Sequence, residues 1–195
     1  MGYIGNFPTA VPLTTNDLGD NIVTADKLDL TDDYAFTGNV TGAGITMVQQ
    51  WNLTSNSTVN GTHLTNWAVA NDTLQASMLG SSMTESSGIF SFPSTGYYKI
   101  DWIGTVQGQD ADAEVDFHIR GTTDNSTYGN ITSNLINMHT SGHYHDFVNS
   151  AVVKITDLTN HKVKFFIESN TTPHIILGGG QQGYTFVIFT RLAGI

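Results

Sequence analysis

The 195-residue chain has no cysteine, which removes disulfide frameworks and thiolate metal sites. It is poor in positive charge: seven Lys and Arg stand against seventeen Asp and Glu, for a formal net charge of −10 at pH 7. Phosphate backbones are held by basic side chains, so nucleic acid is not an expected partner. An anionic membrane surface is disfavoured for the same reason. Charged residues make up only 12% of the chain, too few to coat the exposed faces of a helical protein. No apolar run approaches the roughly 20 residues of a spanning helix, so membrane insertion is not expected. The first twenty residues, MGYIGNFPTAVPLTTNDLGD, have neither a basic cluster nor an apolar centre, unlike a secretory signal.

Catalytic signatures are also missing. There is no His-Glu-x-x-His, no Gly-x-Ser-x-Gly, no phosphate loop and no dinucleotide fingerprint. Carboxylates are plentiful, but no spacing singles out a facing pair of the kind glycosidases use. The sequence therefore names no catalytic residue, and the chain reads as a non-enzyme.

What the chain does have is Thr, Val, Ile, Tyr and Phe in period-two runs, which predicts an all-β protein. Residues 1–45 differ from the rest. They hold six Asp and one Lys, and their apolar residues are singly spaced. Such a segment cannot build a core of its own, and it reads as an extended arm or a plain tail. From 46 to 195 the alternation gives strands at ITMVQQWNL (45–53), NWAVAN (66–71), GIFSF (88–92), YYKIDWIGTVQ (97–107) and AEVDFHIR (113–120). Further strands are expected at FVNSAVVKI (147–155), KVKFFIES (162–169) and YTFVIFTRL (184–192). Short strands separated by polar turns indicate a sandwich or barrel of antiparallel sheets. Polar loops are expected at 54–66, 121–130 and 137–146.

Two strands carry apolar residues on both faces. Along YTFVIFTRL, Tyr184, Phe186 and Ile188 alternate with Val187 and Phe189, and Phe165 and Phe166 point opposite ways. Either such strands are central and covered twice within one chain, or their outer residues meet a partner chain. A single sandwich covers each sheet once, which favours subunit contacts.

SGIFSFPSTGYYKIDWIGTV resembles the signature of C1q/TNF-like jelly rolls: a strand ending in Phe-x-Pro, a turn closing in Gly-Tyr-Tyr, then a long alternating strand. NSAVVKITDLTNHKVKFFIES and GGGQQGYTFVIFTRL resemble that family's later strands in the same order. The turn departs from the family pattern, with Thr159-Asn160 where Gly-Asp is usual, and Asn160 is expected to take the left-handed conformation there. The resemblance implies a jelly-roll sandwich of about 8–10 strands that associates as a homotrimer. It implies subunit contacts through Tyr97, Phe166, Tyr184, Phe186 and Ile188, and Tyr98 or Tyr97 filling the core beside Trp102. The arm, GYIGNFPTAVPLTTNDLGDNIVTADKL followed by LTDDYAFTGNVTGAG, resembles connecting segments of tailed-bacteriophage fibre and head-appendage proteins. That likeness implies a virion structural protein, assembled in a host cytoplasm and released by lysis. Tyr3, Ile4, Phe7, Val11 and Leu13 would anchor it to capsid or tail proteins, and the loops would face a host-surface glycan or receptor. A carbohydrate- or receptor-binding tail-fibre module is the alternative, and an enzyme subunit on a jelly-roll scaffold a further one.

Two clusters are candidate metal ligands. His143 and His145 in GHYH, repeated by three chains around an axis, could hold a transition metal; a His-rich polar loop is the plain alternative. Asp110 and Asp112 head DADAEVD, an oxygen-rich face that could take Ca²⁺ or simply be solvated. Eight Asn-x-Ser/Thr sequons occur, which in a chain so rich in Asn, Ser and Thr reads as composition rather than glycosylation.

Overall fold

In a computed structural model of the chain, residues 44–71, 78–111, 113–180 and 183–195 are described. The arm residues Tyr3, Ile4, Phe7, Val11 and Leu13, and Asp112, lie outside the described residues. Thirteen strands are present among them: β1 (Met47–Leu53), β2 (Thr62–His63), β3 (Trp67–Val69), β4 (Met78–Leu79), β5 (Thr84–Ser86) and β6 (Ile89–Ser91). There follow β7 (Gly96–Gln107), β8 (Ala113–Thr122), β9 (Gly129–Met138), β10 (Tyr144–Ile155), β11 (Lys162–Ser169), β12 (Ile175–Ile176) and β13 (Phe186–Ala193). Seven are seven residues or longer, and six are two- or three-residue pieces.

The strands form two antiparallel sheets. A seven-stranded sheet runs β10-β7-β13-β1-β3, with β12 beside β7 and β4 beside β1; a six-stranded one runs β5-β6-β11-β8-β9, with β2 beside β11. The chain passes repeatedly from one sheet to the other, at β6 to β7, β7 to β8, β9 to β10 and β10 to β11. This is the jelly-roll sandwich that the alternating runs imply.

The corner FPSTG is one such crossing. Gly96 takes φ of +148°, open to glycine but not to side-chain-bearing residues. After it, β7 alternates strictly: Tyr98, Ile100, Trp102 and Val106 point inward and are buried, while Tyr97, Lys99, Asp101 and Ile103 point out. Tyr98 fills the core and Tyr97 does not. The Tyr98 hydroxyl donates to the Ser94 carbonyl at 2.9 Å, pinning the corner to the strand it begets.

The core is aromatic because two sheets about 10 Å apart need long side chains to meet. Trp102 lies edge-on to Phe147 at 4.9 Å and to Phe117 at 5.8 Å, and Phe117 stacks on Phe147 at 4.0 Å. Phe90 gathers Trp51, Trp67, Phe165 and Phe189 at the other end. Gly104 leaves room for the Phe147 ring; a Cβ there would meet ring carbon Cε1 and Thr185 Oγ1 at 2.7 Å. The indole N–H groups of Trp51 and Trp102 have no partner among the described residues, whereas the buried amides are bonded. Asn149 on β10 is 3% exposed; its Nδ2 donates to the Phe117 carbonyl at 2.7 Å and its Oδ1 accepts from Thr132 Oγ1 at 3.0 Å, tying one sheet to both β8 and β9 of the other.

Two expectations need correction. Asn160 is not left-handed; among the described residues other than glycine, only Asn66, Ser87 and Asn125 have positive φ. The turn is instead held by Asp157, whose Oδ1 accepts from the N–H groups of Thr159 and Asn160. Strand β9 also covers part of both predicted loops, 121–130 and 137–146.

Candidate functional site

Each sheet has an inner face on the core and an outer face, and the two outer faces differ in kind. On the six-stranded sheet the outer positions are Glu114, Asp116, His118 and Arg120 of β8 and Lys162, Lys164, Phe166 and Glu168 of β11. This face is charged. Phe166, its large apolar residue, is 9% exposed, because the Arg120 guanidinium lies 3.4 Å over its ring centroid.

The outer face of the seven-stranded sheet is apolar at its centre. Register places Val148 of β10 beside Ile103 of β7, Ile103 beside Phe186 of β13, and Phe186 beside Asn52 of β1. The next row is Ser150, Asp101, Ile188 and Gln50, and the next Val152, Lys99, Thr190 and Val48. Val148 is 59% and Val152 61% exposed, while Ile103, Phe186 and Ile188 are half-buried. One ion pair sits amid them, Lys99 Nζ to Asp101 Oδ2 at 2.9 Å, and Ser150 Oγ donates to the same Asp101 carboxylate. One charge pair on this face is thus neutralised locally, Asp146 and Lys154 stand at the two ends of β10, and the apolar side chains form a stripe across β10, β7 and β13. Such a stripe on a folded domain marks a contact surface.

Four of the five residues named as subunit contacts fall on or beside this face. Tyr97, Phe186 and Ile188 lie on it, and Tyr184 stands exposed just before β13. Phe166 is not brought together with them: it belongs to the opposite sheet and is covered by its own chain. Sequence reading missed Val148, Val152 and Ile103. The signal was there, since Val148 and Val152 fall on the side of β10 opposite Phe147, Asn149 and Ala151.

Of the metal candidates, His143, His145 and Asp110 fall within the described residues. His143 is exposed in the β9–β10 loop, where its carbonyl accepts from Gly108 N. His145 is the second residue of β10, opposite Val106, and is half-buried. Asp110 Oδ1 accepts from the following N–H, that of Ala111. Among the described residues no group of three or more His, Cys, Asp or Glu is placed to hold a cation.

Two histidines are built into the fold. His174, 1% exposed, accepts the Gln109 N–H at Nδ1 (3.0 Å) and donates from Nε2 to Ser169 Oγ (3.2 Å). His118 pairs with Ser133 Oγ through Nδ1 at 2.7 Å. Burial pushes both imidazoles below their ordinary value, against the pull of nearby carboxylates. On the outer face, His118 Nε2 also lies 4.0 Å from Glu168 Oε2. Asparagine does similar structural work: five of the eight sequon side chains, Asn52, Asn56, Asn60, Asn130 and Asn170, hydrogen-bond within the protein.

A two-sheet antiparallel sandwich with this crossing pattern is a TNF-like jelly roll. Solved structures with the same arrangement include Eiger TNF from S. frugiperda, at TM-score 0.60 and 11% identity over 78% of this chain and 95% of that one. Murine APRIL matches at TM-score 0.51 and 13% identity in its pH 8.5 crystals, over 75% of this chain and 98% of that one. The pH 5.0 form gives 0.50 and 16% over the same shares. At these identities the likeness is one of fold. No protein-family model and no curated protein matches the chain.

Proposed function

We propose that this chain is a non-enzymatic assembly protein that works as a homotrimer. The outer face of β10-β7-β13-β1 packs against two sister copies around a threefold axis, and the charged outer face of the other sheet remains toward solvent. The observation that carries this reading is the contrast between the two faces: an apolar stripe across β10, β7 and β13 on one, predominantly charged side chains on the other. Burying Val148 and Val152, each about three-fifths exposed, is worth about 1–2 kcal/mol apiece in every copy.

The sequence of the arm extends the reading. Residues 1–45 attach the trimer to a larger particle, the head or tail of a tailed-phage virion, through Tyr3, Ile4, Phe7, Val11 and Leu13. The loops of the jelly roll then face outward, where they can touch a host surface. Introducing a carboxylate at the centre of the stripe, Ile188→Asp, is expected to yield a folded single-copy species in light scattering. An Ile188→Asp protein that keeps the wild-type mass would overturn the assignment of this face. Locating the chain on an intact particle by cryo-EM tests the virion role separately.

A further inference from the structure

Of the chain's seven Lys and Arg, three gather on the outer face of the six-stranded sheet: Arg120, Lys162 and Lys164. Arg120 and Lys164 stand directly opposite each other on paired strands, an arrangement that destabilises a sheet by like-charge repulsion. Lys162 follows on the same face, two residues from Lys164. In a chain this acidic, counter-ions would be easy to supply, yet among the described residues neither Lys162 nor Lys164 has a carboxylate within ion-pair distance. The nearby acids are spent otherwise. Asp124 accepts from Thr122 Oγ1 and from the N–H groups of Ser126 and Thr127, Asp157 is held in its own turn, and Glu168 faces Arg120 at 3.6 Å.

The cations are held in place all the same. Arg120 lies over Phe166 and donates from Nε to Asn130 Oδ1 at 2.7 Å; Lys164 Nζ sits 4.0 Å over the Tyr128 ring; Lys162 Nζ donates to the Leu158 carbonyl at 2.8 Å. Burial and the repulsion of Arg120 push the Lys164 ammonium below its ordinary value. The Tyr128 hydroxyl is buried beside them with no hydrogen-bond partner among the described residues. Beside this cluster opens a cleft of about 430 Å³ lined by Lys162, Lys154, His161 and Asn130; Arg120 reaches its rim through its bond to Asn130, and Lys164 stands outside the lining. Its other walls are Thr123, Thr127, Ile131 and Val153, hydroxyl groups alternating with short apolar side chains. A bare ion leaves such a volume mostly empty. A sugar ring, with hydroxyls at its rim and C–H faces, matches both its size and its lining.

We propose that this end of the six-stranded sheet binds an anionic saccharide, with the acidic group against Lys162, Lys164 and Arg120 and the sugar ring in the cleft beside Thr123, Thr127 and Asn130. The site is built from one copy of the chain, so it stands whether or not the trimer forms. An unbalanced set of like charges is tolerated because the ligand balances it.

The test is calorimetric titration of the full chain at 150 mM salt with four probes: 3′-sialyllactose, 6′-sulfated lactose, neutral lactose and sodium acetate. At least one acidic sugar is expected to bind ten times or more tighter than both lactose and acetate. The Lys162→Gln/Lys164→Gln protein should lose that binding tenfold or more. Lys164→Gln alone should melt at or above the wild-type temperature, because it relieves the opposition to Arg120. Absence of binding by both acidic sugars, equal binding of lactose, or equal binding of acetate would each overturn the proposal. A marked fall in melting temperature for Lys164→Gln would do the same, showing the lysine to be a packing element on Tyr128.

Discussion

Replacing Asn149 by Asp tests how the two sheets are joined. Asn149 sits on the inner side of β10 opposite Trp102, 3% exposed, and its amide donates to the Phe117 carbonyl while its oxygen accepts from Thr132. A carboxylate of the same shape keeps the acceptor but turns the 2.7 Å contact with Phe117 O from a hydrogen bond into oxygen against oxygen. Losing a buried bond and leaving its partner unsatisfied costs about 1–3 kcal/mol, more when a charge is involved. For a domain of this size that amounts to a fall in melting temperature of roughly 3–10 °C at pH 7. The penalty should depend on pH. Burial raises the pKa of an acid above its unfolded value of about 3.9. The variant's deficit against wild type is therefore full at neutral pH and shrinks as pH falls toward about 4, where the protonated acid donates again. Paired thermal melts of variant and wild type across pH 4–8 read this directly. A deficit independent of pH, or a melting temperature within a degree of wild type at pH 7, would show that Asn149 does not join the sheets.

Wild-type stability should itself decline in mild acid. His174 and His118 are held below the ordinary value of 6.5 by burial, so the unfolded chain takes up protons that the folded chain refuses. Stability is then complete above about pH 6.5 and is lost as pH falls below it; His174→Gln, which can still accept from Gln109 and donate to Ser169, should flatten that loss, and an unchanged pH profile would refute the assignment. Trp102→Ala should cost about 3–5 kcal/mol in denaturant unfolding, since Trp102 touches Phe117, Phe147 and Phe165; a cost under 1 kcal/mol would contradict the core described above. Deleting residues 1–43 should leave the oligomer's stoichiometry intact while abolishing co-sedimentation with particles, and a truncated protein that still binds them would move the attachment site out of the arm.

Much of the fold was legible because burial imposes a period of two. AEVDFHIR and YYKIDWIGTVQ announce β8 and β7 almost to the residue, since one face of each must enter the core. Strand β9, GNITSNLINM, could not be read in the same way. It is an edge strand whose inner neighbours are largely polar, with Thr132 bonded to Asn149 and Asn134 Nδ2 donating to the Val148 carbonyl, so hydrogen bonds rather than alternating hydrophobes set its register. The contact face was half legible. Phe186 and Ile188 betray themselves within a strand apolar on both sides. Phe166 shows the same pattern yet is covered by Arg120, a cation–π contact between strands β8 and β11 that spacing along one strand does not reveal. The cation cluster was invisible for a similar reason: Arg120 lies 44 residues from Lys164 in the chain and becomes its neighbour only through the β8–β11 register.

The stripe of Val148, Ile103, Phe186 and Ile188 is the feature on which the functional reading turns, and sedimentation velocity measured over a dilution series from 50 to 0.5 μM addresses it most directly. A single species near 63 kDa, three times the 21.1 kDa chain, that persists to the lowest concentration is the expected result. A folded 21 kDa particle throughout the series would contradict it, because those side chains would then be stable in water without sister copies to cover them.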